Sequence, residues 1–175
     1  TLILSFFYLF LVTLKDFFSN KFSNYAQKIS HFGFSLLILS ILLNSMFSSE
    51  IIVNLRVGEQ FTFKNSNISF NSIERKNFKN YHALVGSFKV EDNEKNLITL
   101  RPELRIYNQP AMVTSEADIK TTLFSDKFIV MNLVKGNEYF NVRYQVKPFM
   151  IWIWISTILL ALGGTISLFK KNNEK

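Results

Sequence analysis

Three long apolar runs, Thr1–Leu14, Ile29–Phe47 and Phe149–Phe169, constrain this chain more than any other feature. About a hundred residues of ordinary mixed composition separate the second run from the third. A soluble globule spreads its apolar residues along the chain at strand or helix spacing. Here they are gathered into blocks, two of them of bilayer-spanning length. As helices at 1.5 Å per residue, the second and third runs reach about 28 and 31 Å. Both lengths match a hydrocarbon core roughly 30 Å thick. The pattern predicts an integral membrane α-helical protein fragment with one inserted extramembrane domain.

The first run is too short to span, because a crossing helix needs about 20 residues. The chain starts at Thr1 with no basic segment ahead of the run, so a signal peptide is not expected. The run instead predicts the end of a transmembrane helix that starts upstream, within a longer protein. A helix lying in the membrane surface is the alternative, but the run has no polar face to support it.

Charge sets the expected topology. The connector 15–28 carries Lys15, Lys21 and Lys28 against Asp16, and the tail carries Lys170, Lys171 and Lys175 against Glu174. Short segments rich in Lys stay on the cytoplasmic side, or the matrix side in a mitochondrion. Residues 48–147 then face the periplasm or intermembrane space. Trp152 and Trp154 fall at the outer end of the third helix, the level amphipathic rings favour. Pro148 suits a first helical turn. Gly163, Gly164 and Ser167 predict close approach of another helix.

The middle region reads as a small all-β domain, barrel- or sandwich-like. Candidate strands are 51–57, 60–64, 67–73, 81–90, 97–101, 103–107, 127–135 and 138–147, with turn signals at Gly58, Asn65–Asn67, Glu91–Asn96 and Gly136-Asn137. Alternation places Phe61, Phe63, Ile68, Phe70, Phe88, Val90, Ile129 and Met131 in its core. Asp118–Phe124 is a candidate short helix. The last strand is expected to run almost directly into the third apolar helix.

The chain has no Cys, which excludes disulfides, zinc–thiolate sites, cysteine nucleophiles and covalent haem attachment to this chain. Its net charge is +7, but only a slight positive excess falls on the middle region, so nucleic acid is not an expected partner. Chemistry is sparse. His82 reads as a surface residue at the start of a strand. Arg101, Glu103 and Arg105 alternate along one strand, either as a solvated face with local ion pairs or as a docking surface. His31 lies inside the second apolar run, where an ionisable side chain is costly and normally faces a partner, cofactor or cavity. Neutral imidazole is also a common axial ligand of haem iron. Gly33 beside it leaves room for a flat ring or another helix. The other reading of His31 is an interfacial residue reaching the headgroups.

Several stretches together resemble the C-terminal part of the CcmF family, the membrane haem lyase subunits of the cytochrome c maturation system. His31-Phe32-Gly33 opens a membrane helix as the family's His-x-Gly element does. Asn80-Tyr81-His82-Ala83 resembles its Gly-Pro-Asn-Tyr element, with Phe78-Lys79 in place of Gly-Pro. Leu100–Tyr107 resembles its Pro-Glu-Lys-Arg-x-Tyr segment, with Leu104 in place of Lys. Thr114–Ile119 resembles its Thr-Glu-Ala-x-Ile segment, and Val142–Phe149 with Trp152 and Leu162–Gly164 its closing strand and last helix. The resemblance covers residues 30–169.

The resemblance implies a cytochrome c-type biogenesis protein of the bacterial inner membrane, or alternatively the mitochondrial one. It implies receipt of haem from a haem chaperone and attachment of that haem to apocytochrome c, with other maturation subunits and membrane lipid as partners. It further implies that His31 is an axial ligand of a b-type haem, with the second ligand outside this fragment. No catalytic residue is expected in this stretch, and the fragment alone is not expected to be active. A membrane-anchored β-domain docking module without redox chemistry is the alternative; a transporter component is a third reading.

Overall fold

The computed structural model describes residues 2–19, 24–92, 96–134, 136 and 138–173; for Leu2 and residues 170–173 the backbone alone is described. Residues 20–23 of the connector, 93–95 of one predicted turn, Asn137 and the last two residues of the tail lie outside this set. The contacts divide the chain into two units. One comprises residues 1–48, 122–125 and 147–175; the other comprises 49–121 and 126–146.

The first unit is helical. α1 covers Leu2–Phe18, α2 Tyr25–Phe47 and α3 Met150–Asn173. Each extends past the apolar run that predicts it. A helix continues while its backbone groups find i to i+4 partners, and the residues into which these helices extend, 15–18, 25–28 and 170–173, include no Gly or Pro to stop it. α2 therefore begins one turn before Ile29, which puts His31 nearly two turns inside it. The helices Tyr25–Phe47 and Met150–Phe169 are long and apolar enough to cross a membrane. Pro148 is not in the first turn of α3 as predicted; it ends the preceding strand. Phe149, with φ of 60°, makes the corner, and its N–H donates to Phe124 O at 3.0 Å.

The second unit is a two-sheet β-sandwich, with ten strands among the described residues. They are β1 (Ser49–Leu55), β2 (Gln60–Phe63), β3 (Ser66–Asn77), β4 (Tyr81–Asp92), β5 (Leu97–Leu100), β6 (Glu103–Asn108), β7 (Ala111–Glu116), β8 (Asp118–Thr121), β9 (Ser125–Leu133) and β10 (Phe140–Pro148). The first sheet has the order β1-β10-β9-β8. The second has the order β2-β3-β4-β6-β7, with β5 also paired to β4. Of the two predicted architectures, barrel or sandwich, the structure is the sandwich.

Its core comes from both sheets. Ile68, Phe70, Phe88, Val90, Ile129, Met131, Val142 and Tyr144 are fully buried. Phe70 stacks on Phe88 with ring centroids 4.3 Å apart and meets Phe140 edge-on at 5.7 Å. Phe61 and Phe63, predicted as core, are only partly buried because β2 lies at the sheet's edge. Lys127 of β9 reaches Asp92 of β4 at 3.0 Å, an ion pair between the sheets.

Two predictions are corrected here. Asp118–Phe124 is not a helix: it is strand β8 followed by a turn. β8 pairs with β9 in the register Ile119↔Phe128 and Thr121↔Asp126, and this ladder satisfies the backbone groups a helix would have satisfied internally. Among the described residues the strands number ten, where the sequence suggested seven or eight. β7, absent from the sequence reading, pairs with β6 along its whole length.

Candidate functional site

α2 carries the candidate site and uses two of its faces for packing. Toward α1 it presents Lys28, Phe32 and Ser35. The ring of Phe32 lies 5.8 Å from Phe10 and 5.2 Å from Phe17. Ser35 Oγ and Thr13 Oγ1 are 2.5 Å apart. Lys28 is buried, and its Nζ donates to the carbonyl of Ser19 just past the end of α1. A cation there complements the negative end of the helix dipole.

Toward α3, α2 presents Ala26, Ser30, Gly33 and Asn44. A Cβ on Gly33 would lie 3.1 Å from Leu159 Cβ and 3.1 Å from Leu160 N. Reciprocally, a Cβ on Gly163 would lie 2.9 Å from Ala26 O and collide with the hydroxyl of Ser30. Higher up, Asn44 Nδ2 donates to Pro148 O at 2.6 Å. Gly163 thus allows the close helix approach that the sequence predicts, whereas Gly164, predicted to share that role, has nothing within 4 Å of its missing Cβ. Of the two occupants left open for the space at Gly33, the structure supplies the helix rather than a ring.

His31 packs against neither neighbour. At 100° per residue it lies at the margin of the α1 face, about 40° from Ser35 and about 60° from Lys28, on a side shared with Gln27, Phe34 and Ile41. All four are exposed. The imidazole has no hydrogen-bond partner among the described residues. It opens onto a depression of about 450 Å³ formed with Gln27, Ser30, Gly163, Gly164, Ser167 and Leu168. Nothing lies within 4 Å of the Cβ that Gly164 lacks, so this glycine leaves open floor rather than a tight contact.

A haem held here would find one ligand and an open floor. The arrangement offers one unpaired imidazole, a floor of small residues and apolar flanks in Phe34 and Leu168, 51% and 67% exposed. It offers one axial position only. Among the described residues no group of three His, Asp or Glu side chains converges as a metal site.

On the sandwich, strand pairing joins three segments that the sequence singles out separately. Tyr81 pairs with Tyr107, Ala83 with Arg105 and Val85 with Glu103 across β4 and β6. Glu103 pairs in turn with Glu116 of β7. Arg105 Nε lies 3.0 Å from Glu103 and its Nη1 3.8 Å from Glu116, with the guanidinium over the Tyr81 ring at 5.3 Å. Hydrogen bonds to Glu103, and then to Tyr107, raise the Arg105 pKa. Arg101 does not join this cluster; its backbone N–H donates to Asp118 at 2.5 Å.

A short aromatic row also runs along this face, missed in the sequence because its members come from different strands. Phe78 stacks on Tyr81 at 4.7 Å, and Tyr81 meets Tyr107 at 5.2 Å. His82 points to the other face and bonds Asn77 at 2.9 Å, beside Arg75, Leu84 and Ile106.

The decisive comparison is with the family described as the CcmF C-terminal beta-sandwich, which matches residues 46–148. The chain belongs to the CcmF family. Among its relatives, the cytochrome c-type biogenesis protein ccl1 of Rhodobacter capsulatus is 31% identical over 146 residues, which is 83% of this chain and 22% of that protein. CcmF of Pseudomonas aeruginosa is 27% identical over 145 residues, with the same two coverages. CcmF of Escherichia coli K12 is 26% identical over 154 residues, 88% of this chain and 24% of the relative. The chain therefore spans about a quarter or less of the length of these CcmF relatives. A solved structure described as the cytochrome c heme lyase CcmF shares the fold, with a TM-score of 0.68 at 17% identity, over 93% of this chain and 28% of that one.

Proposed function

We propose that this chain is the C-terminal portion of a multi-pass inner-membrane haem lyase subunit, in which His31 is one axial ligand of a b-type haem. The relatives' names support a role in cytochrome c-type biogenesis. Two long apolar helices support a membrane location. The short Lys-rich segments support an inner-side location for Lys15–Lys28 and the C-terminal tail, with the sandwich on the outer side. The whole protein takes haem from a chaperone and helps attach it to apocytochrome c, together with other maturation subunits.

One observation carries the ligand assignment: the His31 imidazole is exposed, has no hydrogen-bond partner among the described residues and borders a depression lined on its other side by Gly163, Gly164, Ser167 and Leu168 of α3. Bound haem would supply a redox-active iron. The chain's own residues do the rest. His31 offers a nitrogen lone pair, Gly164 and Ser167 keep the floor open, and Phe34 and Leu168 keep the surroundings apolar. The contact of Gly33 and Gly163 with the facing helix fixes His31 at one height. The second ligand comes from outside this fragment.

The test is the absorption spectrum of the purified full-length protein. His31→Ala should lose the b-type spectrum and the haem that gives it. No side chain one turn away replaces the imidazole, because Lys28 is committed to Ser19 and Ser35 to Thr13. Unchanged haem content would leave His31 as an interfacial residue. The aromatic row of Phe78, Tyr81 and Tyr107 favours a docking role for the sandwich, the second reading. That role alone predicts full haem content in His31→Ala.

A further inference from the structure

The turn between β8 and β9 is built in an unusual way. A tight hairpin turn normally carries Gly, Asn, Asp or Ser at its tip, because those residues meet water and tolerate turn geometry. Here the register closes at Thr121↔Asp126, and the tip between them is Thr122-Leu123-Phe124-Ser125. Its ends lock each other. Thr122 N–H donates to Ser125 O at 3.0 Å, Thr122 Oγ1 to the same oxygen at 2.7 Å, and Ser125 N–H to Thr122 Oγ1 at 3.1 Å. This clasp holds out two large apolar side chains. Leu123 is 60% and Phe124 67% exposed.

The same four residues belong to the helical unit, not to the sandwich. Phe149 N–H donates to Phe124 O at 3.0 Å, and Trp152 Nε1–H donates to Leu123 O at 2.8 Å. The tip is thus bonded to the corner that opens α3 and to its first turn. Asn44, near the end of α2, bonds Pro148 at the same corner. Exposed Met46 and Phe47 end α2, and exposed Trp154 lies in the first turns of α3. Leu123 and Phe124 therefore stand at the level where two helices of membrane-spanning length both end in exposed aromatic and apolar side chains. That level is where a bilayer passes from hydrocarbon to headgroups, and amphipathic and aromatic groups concentrate there.

We infer that the Thr122–Ser125 turn is an interfacial membrane anchor, with Leu123 and Phe124 inserted at the boundary between headgroups and acyl chains of the outer leaflet. The occupant is lipid. The clasp and the bonds from Phe149 and Trp152 occupy the N–H groups of Thr122 and Ser125 and the carbonyls of Leu123, Phe124 and Ser125, which lowers the cost of carrying the turn into the interface. The inference rests on the reading of α3 as a membrane-crossing helix, and its test separates the two.

Single cysteines carrying a nitroxide are placed at Phe124, at Ile158 in α3 and at Glu74 in β3. The host is the full-length protein, on a background without other reactive cysteines, in phosphatidylcholine–phosphatidylglycerol liposomes. Collisions with oxygen report lipid, and collisions with a water-soluble nickel chelate report water. The Ile158 label should favour oxygen strongly, the Glu74 label should favour the chelate, and the Phe124 label should favour oxygen several-fold over Glu74. A Phe124 label as open to the chelate as Glu74, with Ile158 still in lipid, overturns the anchor and leaves the crossing helix standing. A Phe124 label shielded from both reagents means that protein covers the turn, and also overturns it. An aqueous Ile158 label overturns both readings.

Discussion

Gly163 of α3 lies so close to Ser30 of α2 that a Cβ on the glycine would come within 2.9 Å of the serine's backbone nitrogen. Its neighbour Gly164 has nothing within 4 Å of the same position. Adjacent glycines in one helix thus have opposite tolerances. Gly163→Leu should destabilise the helical unit by about 1–3 kcal/mol, the usual cost of overpacking a filled site. Gly164→Ala should cost nothing and gain slightly in helix propensity. Thermal unfolding of the full-length protein in detergent, with the two variants side by side, checks both.

The sandwich core gives a second expectation. Phe70 is fully buried between Phe88 and Phe140, so Phe70→Ala should cost about 3–5 kcal/mol. Exposed Ile52→Ala should cost far less. Hydrogen exchange of the full-length protein should show slow amides along β3, β4, β9 and β10. Phe70→Ala should speed exchange in those strands, and uniformly rapid exchange in the unmutated protein would contradict a packed domain.

Asp126 supplies a pH dependence. It is buried at the start of β9, and its Oδ1 has no hydrogen-bond partner among the described residues. Desolvation raises its pKa above the usual carboxylate value, against a smaller opposing effect of a hydrogen bond with Thr121. A raised carboxyl pKa means that the folded state holds its proton more tightly than the unfolded state. This favours folding below about pH 4, and the advantage is lost as pH rises through the folded value. At neutral pH the buried carboxylate is therefore a cost. Asp126→Asn should stabilise the protein at pH 7, with the gain shrinking toward zero as pH falls through the carboxylate range. Parallel melting curves at pH 4 and pH 7 check the sign.

Topology gives the fourth expectation. Cysteines placed at Glu74 and at Lys15, both exposed, should react with an impermeant maleimide from opposite sides of the membrane, Glu74 from outside and Lys15 from inside. Labelling of the Glu74 position from the cytoplasmic side alone would overturn the charge argument. The chain's lack of native cysteine leaves no background of its own in this stretch.

What could be read in the sequence follows from the range of the forces concerned. Long apolar runs announce α2 and α3 because helix formation is local. Alternation announces β3, β4, β9 and β10 because one face of each is buried. β7 escapes notice because Ala111–Glu116 lies at a sheet edge, with Met112 and Val113 exposed, so burial imposes no alternation on it. β8 misleads because Asp118–Phe124 has a helix-like start, while its real partner, β9, is decided by tertiary pairing. At the site, His31 stands out by its type and setting. The face it takes between α1 and α3 depends on Gly33 and Gly163, whose contacts come from opposite ends of the chain. The row of Phe78, Tyr81 and Tyr107 has no local signal, since only the β4–β6 register brings it together.

Lys28 has a consequence for how the chain reaches this state. Of the connector cations on which the proposed orientation rests, Lys15 ends exposed on α1, whereas Lys28 ends buried on the Ser19 carbonyl. On the proposed topology, Lys28 would meet the membrane during insertion as a free positive charge that resists translocation. Once α1 and α2 have closed on each other, the same ammonium no longer faces headgroups and ties the hairpin shut. Replacing it with a neutral residue would thus act at two moments, first on which way the hairpin enters and later on whether it stays closed. The first defect would be heritable through assembly, since a hairpin inserted backwards has no easy route to turn over, while the second would remain reversible in every molecule that had entered correctly.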